Sequence, residues 1–234
     1  MKVGVMQPYF FPYIGYWQLI NAVDKYVIYD DVNYINRGWV NRNRILVNGN
    51  TKYFNVPLFG ASQNKLINEI TVNLDEKEIE RNLRILKSSY KKAPYFEEIY
   101  PIMEEILKYK SNILSAYLAN SIKVICKYLD INTEIIISSS LKKDNRLKGE
   151  EKILAICKEL KATDYYNAIG GMNLYHFDLF SEQGVKLHFI KTNEISYKQF
   201  DNDFQPCLSI IDVLMFNGFE HVKSLLLDFT LVEE

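Results

Sequence analysis

Residues 1–20 read MKVGVMQPYFFPYIGYWQLI and residues 23–45 read VDKYVIYDDVNYINRGWVNRNRI. Val3 to Met6 is an apolar run of strand length, and it enters a loop dense in proline and aromatic rings. Gly15 to Val23 carries Trp17, Leu19 and Ile20 at positions that suit a helix facing a core, and Lys25 to Tyr29 is again strand-like. A strand, loop, helix and strand in this order is a common opening of an α/β nucleotide-binding fold. Such folds hold their ligand at the carboxyl end of the first strand.

Outward from this stretch, Arg44–Val47 and Thr51–Val56 flank Asn48-Gly49-Asn50, which predicts a β-hairpin arm. Ile67–Leu74 reads as a further β segment, and Asp75 as the N-cap of a helix. Residues 75–130 form a helical middle. Leu83, Leu86 and Tyr90 make one apolar stripe, Pro94 is expected in the first turn of the next helix, and Ile113 to Ile125 reads as a long buried helix. From Thr133 the pattern alternates. Thr133–Ser138, Asp164–Asn167 and Val185–Ile190 read as strands; Glu150–Leu160, a helix beginning at Leu174, and Leu208–Phe216 read as helices, with 142–149 a polar linker. The expected fold is α/β: a mostly parallel, Rossmann-like sheet with flanking helices, a helical middle and a small hairpin arm. The chain reads as one domain over 1–234, made of a β/α part (1–74), the helical segment (75–130) and a βα part (131–234).

A length of 234 residues and 48% hydrophobic content suit a sizeable buried core. The formal charge of −1 argues against a general nucleic-acid or membrane-surface binder. No apolar run is long enough to span a bilayer and the first residues lack the pattern of a secretory signal, so the expected location is the cytoplasm, with no membrane partner. Cys126, Cys157 and Cys207 are odd in number and far apart, and His176, His188 and His221 show no ligand spacing, so neither disulfides nor zinc are expected. The 17 tyrosines supply flat apolar area with a hydroxyl, suited to bases and sugars as well as to core packing.

Four constellations are candidates for chemistry. In the first loop, Pro8 and Pro12 stiffen the backbone, Gln7 stands at the strand end, and Tyr9, Tyr13 and Tyr16 offer hydroxyls. Gly15 permits close approach of a ligand or of a facing strand. Gln7 and Tyr16 are candidate catalytic groups. In the second, Asp30 and Asp31 are a candidate Mg²⁺ pair or a general base for an amine, while Arg37, Arg42 and Arg44 suit a diphosphate and Trp39 a base or sugar ring. If residues 41–44 are extended, Arg42 and Arg44 share one face, and Asn41 and Asn43 the other. The third is Gly170-Gly171, whose free N–H groups suit an anion at a helix start. The fourth is Asp212, a carboxylate in an apolar helix that either anchors an arginine or acts in catalysis.

Taken together, QPYFFPYIGYWQLI, the DDV and RGWVNRNRI segments, GGMNLY with GVKLHFI, and LSIIDVLMFNG resemble the WbqC-like family of bacterial proteins, over nearly the whole chain. Members of that family occur in gene clusters for O-antigen and other surface polysaccharides, so the resemblance implies a role in making a modified sugar. It suggests an N-acyl transferase, with aminoacyl or glycyl transfer included, acting on the amine of a nucleotide-linked amino sugar. The acyl donor would be an adenylate made in place or an aminoacyl-tRNA. Two alternatives stay open: an ATP-dependent nucleotidyltransferase or ligase using Mg²⁺, and a non-catalytic sugar-nucleotide binding or assembly protein. Pantothenate synthetase places two histidines around a comparable glycine to stabilise a triphosphate. Here Tyr13 and Tyr16 flank Gly15, and tyrosine is neutral at pH 7. Cofactor use and oligomeric state are left open by the sequence.

Overall fold

Parallel strands require crossovers, and the chain supplies them as the apolar patterns indicate. A computed structural model describes residues 1–201 and 203–233. β1 (Lys2–Met6) leads through α1 (Ile14–Asn21) to β2 (Lys25–Ile28). A hairpin follows, β3 (Arg42–Val47) and β4 (Asn50–Asn55), and then a small pair, β5 (Leu58–Phe59) with β6 (Thr71–Val72). The helical middle is α2 (Glu76–Tyr90), α3 (Phe96–Leu107) and α4 (Leu114–Tyr128). The last part runs β7 (Glu134–Ile137), α5 (Gly149–Glu159), β8 (Asp164–Ala168), α6 (Phe177–Glu182), β9 (Lys186–Thr192), α7 (Ile210–Phe216), α8 (Phe219–Leu225) and β10 (Phe229–Val232).

Six strands form one sheet in the order β10-β9-β8-β1-β2-β7. Numbered by their own succession, they lie 3-2-1-4-5-6 with the reversal between β1 and β8, the order of doubly wound nucleotide-binding sheets. Every pairing is parallel except β10 against β9. The chain is therefore α/β with a mostly parallel sheet, as the sequence indicated. β1 pairs with β8 on one side and β2 on the other, so the first and last parts of the chain share this sheet.

Both faces of a parallel sheet are buried, and the two faces have separate cores. Val3, Val5, Val27, Tyr165 and Phe189 pack with Ile153, Ile156 and Phe180 of α5 and α6. Tyr26, Ile28, Tyr166 and Ile190 join α1, the helical middle and α7 on the other face. The close fit of α1 to β9 depends on Gly15, where an added Cβ would lie 2.5 Å from Thr192 Oγ1. Of the two uses expected for this glycine, close approach to the facing strand is built.

The hairpin turns at Asn48 and Gly49, with φ of 50° and 75°, as an Asn-Gly turn between strands requires. Asp75 caps α2 by accepting from Lys77 N at 2.8 Å. Other expectations are corrected. Only Thr71–Val72 of the 67–74 segment is strand, because residues 67–69 close a 3-10 turn. Pro94 lies in the turn before α3 rather than in its first turn, and Pro101 sits inside that helix. The helix expected from Leu174 begins at Phe177, since residues 169–174 also form a 3-10 turn.

Candidate functional site

A cleft of about 880 Å³ opens where the strand order reverses. Met6 of β1, Ala168 and Ile169 after β8, and Ile190 to Thr192 of β9 form its floor, at the carboxyl ends of the strands. This is where open α/β sheets bind ligands. The volume lies within the roughly 300–1,000 Å³ of small-molecule sites. Tyr9, Tyr13, Gly15 and Tyr16 bring the amino end of α1 to it, and Trp39, Asn43 and Arg44 add a wall from the hairpin side.

The wall is held by a polar scaffold. Asn43 is buried and donates from Nδ2 to the carbonyls of Phe10 (3.3 Å) and Phe11 (3.0 Å), while its Oδ1 accepts from Arg44 N at 2.8 Å. Ser209 Oγ donates to the same Phe11 carbonyl at 2.8 Å, and Trp17 Nε1 donates to Pro12 O at 3.1 Å. The first loop is thereby pinned between β3, α1 and α7. Phe11 holds φ of 44°, a strained value that these bonds sustain. Asn43 is thus a brace rather than a free ligand group.

Arg44 has donors to spare. Its Nη2 donates to Cys207 O at 3.1 Å, its guanidinium lies 5.8 Å from the Trp39 ring centre, and its Nε is buried with no partner among the described residues. Trp39 is 40% exposed, so its ring is free to stack. Burial raises the Tyr9 hydroxyl, and it pushes Tyr13 up to about 12, helped by Cys207 nearby. Both therefore stay neutral hydrogen-bonding groups. Tyr16 is also raised by burial and donates to Gln7 O at 3.1 Å. That bond locks Tyr16 into the core as a strut, while Gln7 Oε1 is buried without a partner among the described residues.

The other two arginines do not reach the cleft. Arg42 and Arg44 do share a face of β3, but strand rise moves Arg42 toward the turn before the hairpin. There its guanidinium stacks 4.3 Å from the Tyr53 ring centre and donates to the carbonyls of Gly38 and Arg37. Arg37 occupies the turn itself, with φ of 59°.

The carboxylates expected beside the arginines also lie elsewhere, at the ends of β2 and β7. Asp30 is buried and accepts from Ser139 N (2.9 Å) and Ser139 Oγ (2.7 Å). Asp31 Oδ2 contacts Lys143 Nζ at 2.8 Å and Lys152 Nζ at 3.1 Å, with both ammonium groups almost fully buried. Burial opposes ionisation of Asp31, but Lys143, Ser138 and Lys152 outweigh it and hold the carboxyl below its usual range. Two carboxylates and two lysines leave this buried cluster formally neutral. Asp30 is held by Ser139 and Asp31 Oδ2 by the two lysines, while Asp31 Oδ1 is buried without a hydrogen-bond partner among the described residues, so the cluster acts as an internal clamp away from the cleft.

Gly171 packs against Asn167, where a Cβ would come within 3.2 Å of the side chain, and Gly170 faces open space. Neither lines the cleft, and both lie within a 3-10 turn rather than at the start of an α-helix. Asp212 has no arginine partner. It accepts from Tyr90 (2.9 Å), Tyr197 (2.8 Å) and Gln199 (2.7 Å), and burial raises its carboxyl against those bonds. Because Tyr90 OH also accepts from Leu46 N at 2.9 Å, Asp212 secures α7 to the hairpin.

The sequence reading missed the rest of the wall: Lys191 to Ser196, Phe204, Pro206 and Cys207. The signal was present in the strand order, since parallel strands end on one edge and the residues following β9 must border the same cleft as those following β1. Among the described residues no group of three or more His, Cys, Asp or Glu is arranged to hold a metal ion, and no helix is long and apolar enough to cross a membrane.

Comparison with known proteins places the chain. The model of the WbqC-like protein family matches residues 7–224. A Mycobacterium tuberculosis (strain ATCC 25618 / H37Rv) protein, Rv1507c, described as uncharacterized, is similar at 29% identity over 223 residues, covering 94% of this chain and 95% of that one. No solved structure matches. The chain belongs to the WbqC-like family.

Proposed function

We propose that this member of the WbqC-like family binds a nucleotide-linked amino sugar in the switch-point cleft and acylates its amine, as a transferase of surface-polysaccharide biosynthesis. The observation that carries the reading is the composition of the cleft: exposed Trp39 and half-buried Tyr9 and Tyr13 stand beside Arg44, whose buried Nε has no partner among the described residues, at the carboxyl ends of the sheet strands. An arginine fork suits diphosphate oxygens, and the aromatic rings suit a base or a sugar face. The amino end of α1 adds a favourable partial charge for phosphate. Aminoacyl or glycyl donors, as an adenylate or as an aminoacyl-tRNA, supply the acyl group in this reading. The polysaccharide pathway class is what the family resemblance implies, and it supports this reading.

The test is mass spectrometry of a mixture of the protein, dTDP- and UDP-linked amino sugars, Mg-ATP, amino acids and charged tRNA. The expected product is a sugar nucleotide heavier by one acyl group, with omission of ATP or tRNA naming the donor. Retention of an unchanged sugar nucleotide by the protein, without product under any donor, would replace transfer with the non-catalytic binding role. Failure to retain any sugar nucleotide would remove the cleft assignment altogether.

A further inference from the structure

The cleft contains one carboxylate among its described lining residues, Glu194, against two cations, Arg44 and Lys191. Its setting is unusual for a surface acid. The residue before it is anchored: Asn193 Nδ2 donates to Asp228 Oδ1 at 2.8 Å, Asn193 Oδ1 accepts from Thr230 Oγ1 at 2.8 Å, and Asn193 N reaches Asp228 O at 3.3 Å. The residue after it, Ile195, is buried. Glu194 itself is exposed and forms no hydrogen bond or ion pair among the described residues. The backbone is thus fixed on both sides while the carboxylate stays free. In a site for a diphosphate such a group is repulsive, unless the ligand carries a positive charge at that end. A protonated sugar amine is that charge.

We infer that Glu194 is the group that recognises the amine of the acceptor sugar and takes its proton, the role that Asp30 and Asp31 cannot fill from the far side of β2. The inference rests on the sugar-nucleotide reading of the cleft. In the step it implies, the ammonium gives one proton to Glu194, and the freed nitrogen lone pair forms a bond to the carbonyl carbon of an activated acyl ester or adenylate. The bond from that carbon to the leaving oxygen breaks with its electron pair, and the second N–H proton passes to water as the amide forms.

The test is equilibrium binding of dTDP- and UDP-linked amino sugars and of their hydroxyl counterparts, to the wild-type protein and to Glu194→Gln. The substitution keeps size and hydrogen-bonding capacity and removes the charge. Charge-assisted recognition predicts that the wild type prefers the amine by about tenfold or more. Glu194→Gln should lose this preference while its affinity for the hydroxyl compound stays within about twofold, an allowance below one charge-assisted bond. A preference that survives in Glu194→Gln, or its absence from the wild type, overturns the inference and leaves the cleft assignment standing. Binding of neither compound to the wild type overturns the sugar-nucleotide reading, and this inference with it. Urea unfolding of the variant should match the wild type, because Glu194 is exposed and makes no hydrogen bond or ion pair among the described residues.

Discussion

Replacing Asp31 with asparagine separates a structural carboxylate from a catalytic one. Asp31 Oδ2 lies 2.8 Å from Lys143 Nζ and 3.1 Å from Lys152 Nζ, with the lysine side chains 0% and 4% exposed. Asparagine removes the carboxylate that faces both lysines and leaves the two buried ammonium groups with the backbone acceptors Ser138 O and Asp31 O. Breaking a buried pair in this way costs about 3–5 kcal/mol, out of the roughly 5–15 kcal/mol that holds a domain folded. At about 2–4 °C per kcal/mol for a chain of this size, a loss of about 4 kcal/mol lowers Tm by about 8–16 °C. Urea and thermal unfolding measure it. The pH dependence has a definite sign. The folded carboxyl lies below its unfolded value, so the stability it contributes is full above the unfolded pKa and is lost as pH falls through the folded one. The deficit of Asp31→Asn relative to wild type should therefore be largest near neutrality and shrink in acid. Sugar-nucleotide affinity, measured at a temperature where the variant is folded, should be unchanged. An unaltered unfolding midpoint together with lost binding would refute the clamp and return Asp31 to the site.

Further outcomes follow from the same geometry. Arg44→Ala should weaken sugar-nucleotide binding by about tenfold to a hundredfold by calorimetry, whereas Arg42→Ala, which removes a guanidinium stacked on Tyr53, should leave it unchanged. Ligand binding should alter tryptophan fluorescence through exposed Trp39 and not through fully buried Trp17, so Trp39→Phe should abolish the signal. Gly15→Ala should destabilise by about 1–3 kcal/mol through overpacking against Thr192, read as a lower urea midpoint. Asp212 has the opposite linkage to Asp31. Burial raises its folded carboxyl, so the stability associated with it falls as pH rises through that value, and Asp212→Asn should flatten this part of the stability profile measured by urea.

The elements that were legible in the sequence are those whose signals are local. β1, α1 and β2 show in apolar spacing, the hairpin in Asn48-Gly49, and the start of α2 in Asp75. β10 and α8 are short and closely spaced, and β10 joins an edge in the antiparallel sense, so alternation alone did not reveal them. In the site, Tyr9, Tyr13, Trp39 and Arg44 were read as ligand groups and do line the cleft. Asp30 and Asp31 precede the arginine cluster in sequence, yet neither lines the cleft. Their direction is instead set by β7 and α5, through Ser139 and Lys152, partners more than a hundred residues away. Asp212 shows the same limit: a buried carboxylate announces a partner, but the sequence does not say that the partners are Tyr90, Tyr197 and Gln199 rather than an arginine.

The position of β1 in the sheet bears on how the chain is made. Val3 pairs with Lys25 on one side and with Tyr165 on the other. During synthesis the first partner emerges almost at once, while the second waits for most of the chain. At roughly 5–20 residues per second, β1 presents a bare apolar edge for about ten to thirty seconds. Distant pairings of this kind slow folding, because the loop must close before any contact rewards it. An open strand edge is also a template for joining another chain. The hazard for this protein therefore falls on the nascent chain, in the interval before β8 arrives, and a synonymous change that slows translation between β2 and β8 should lower the yield of folded protein without altering any residue.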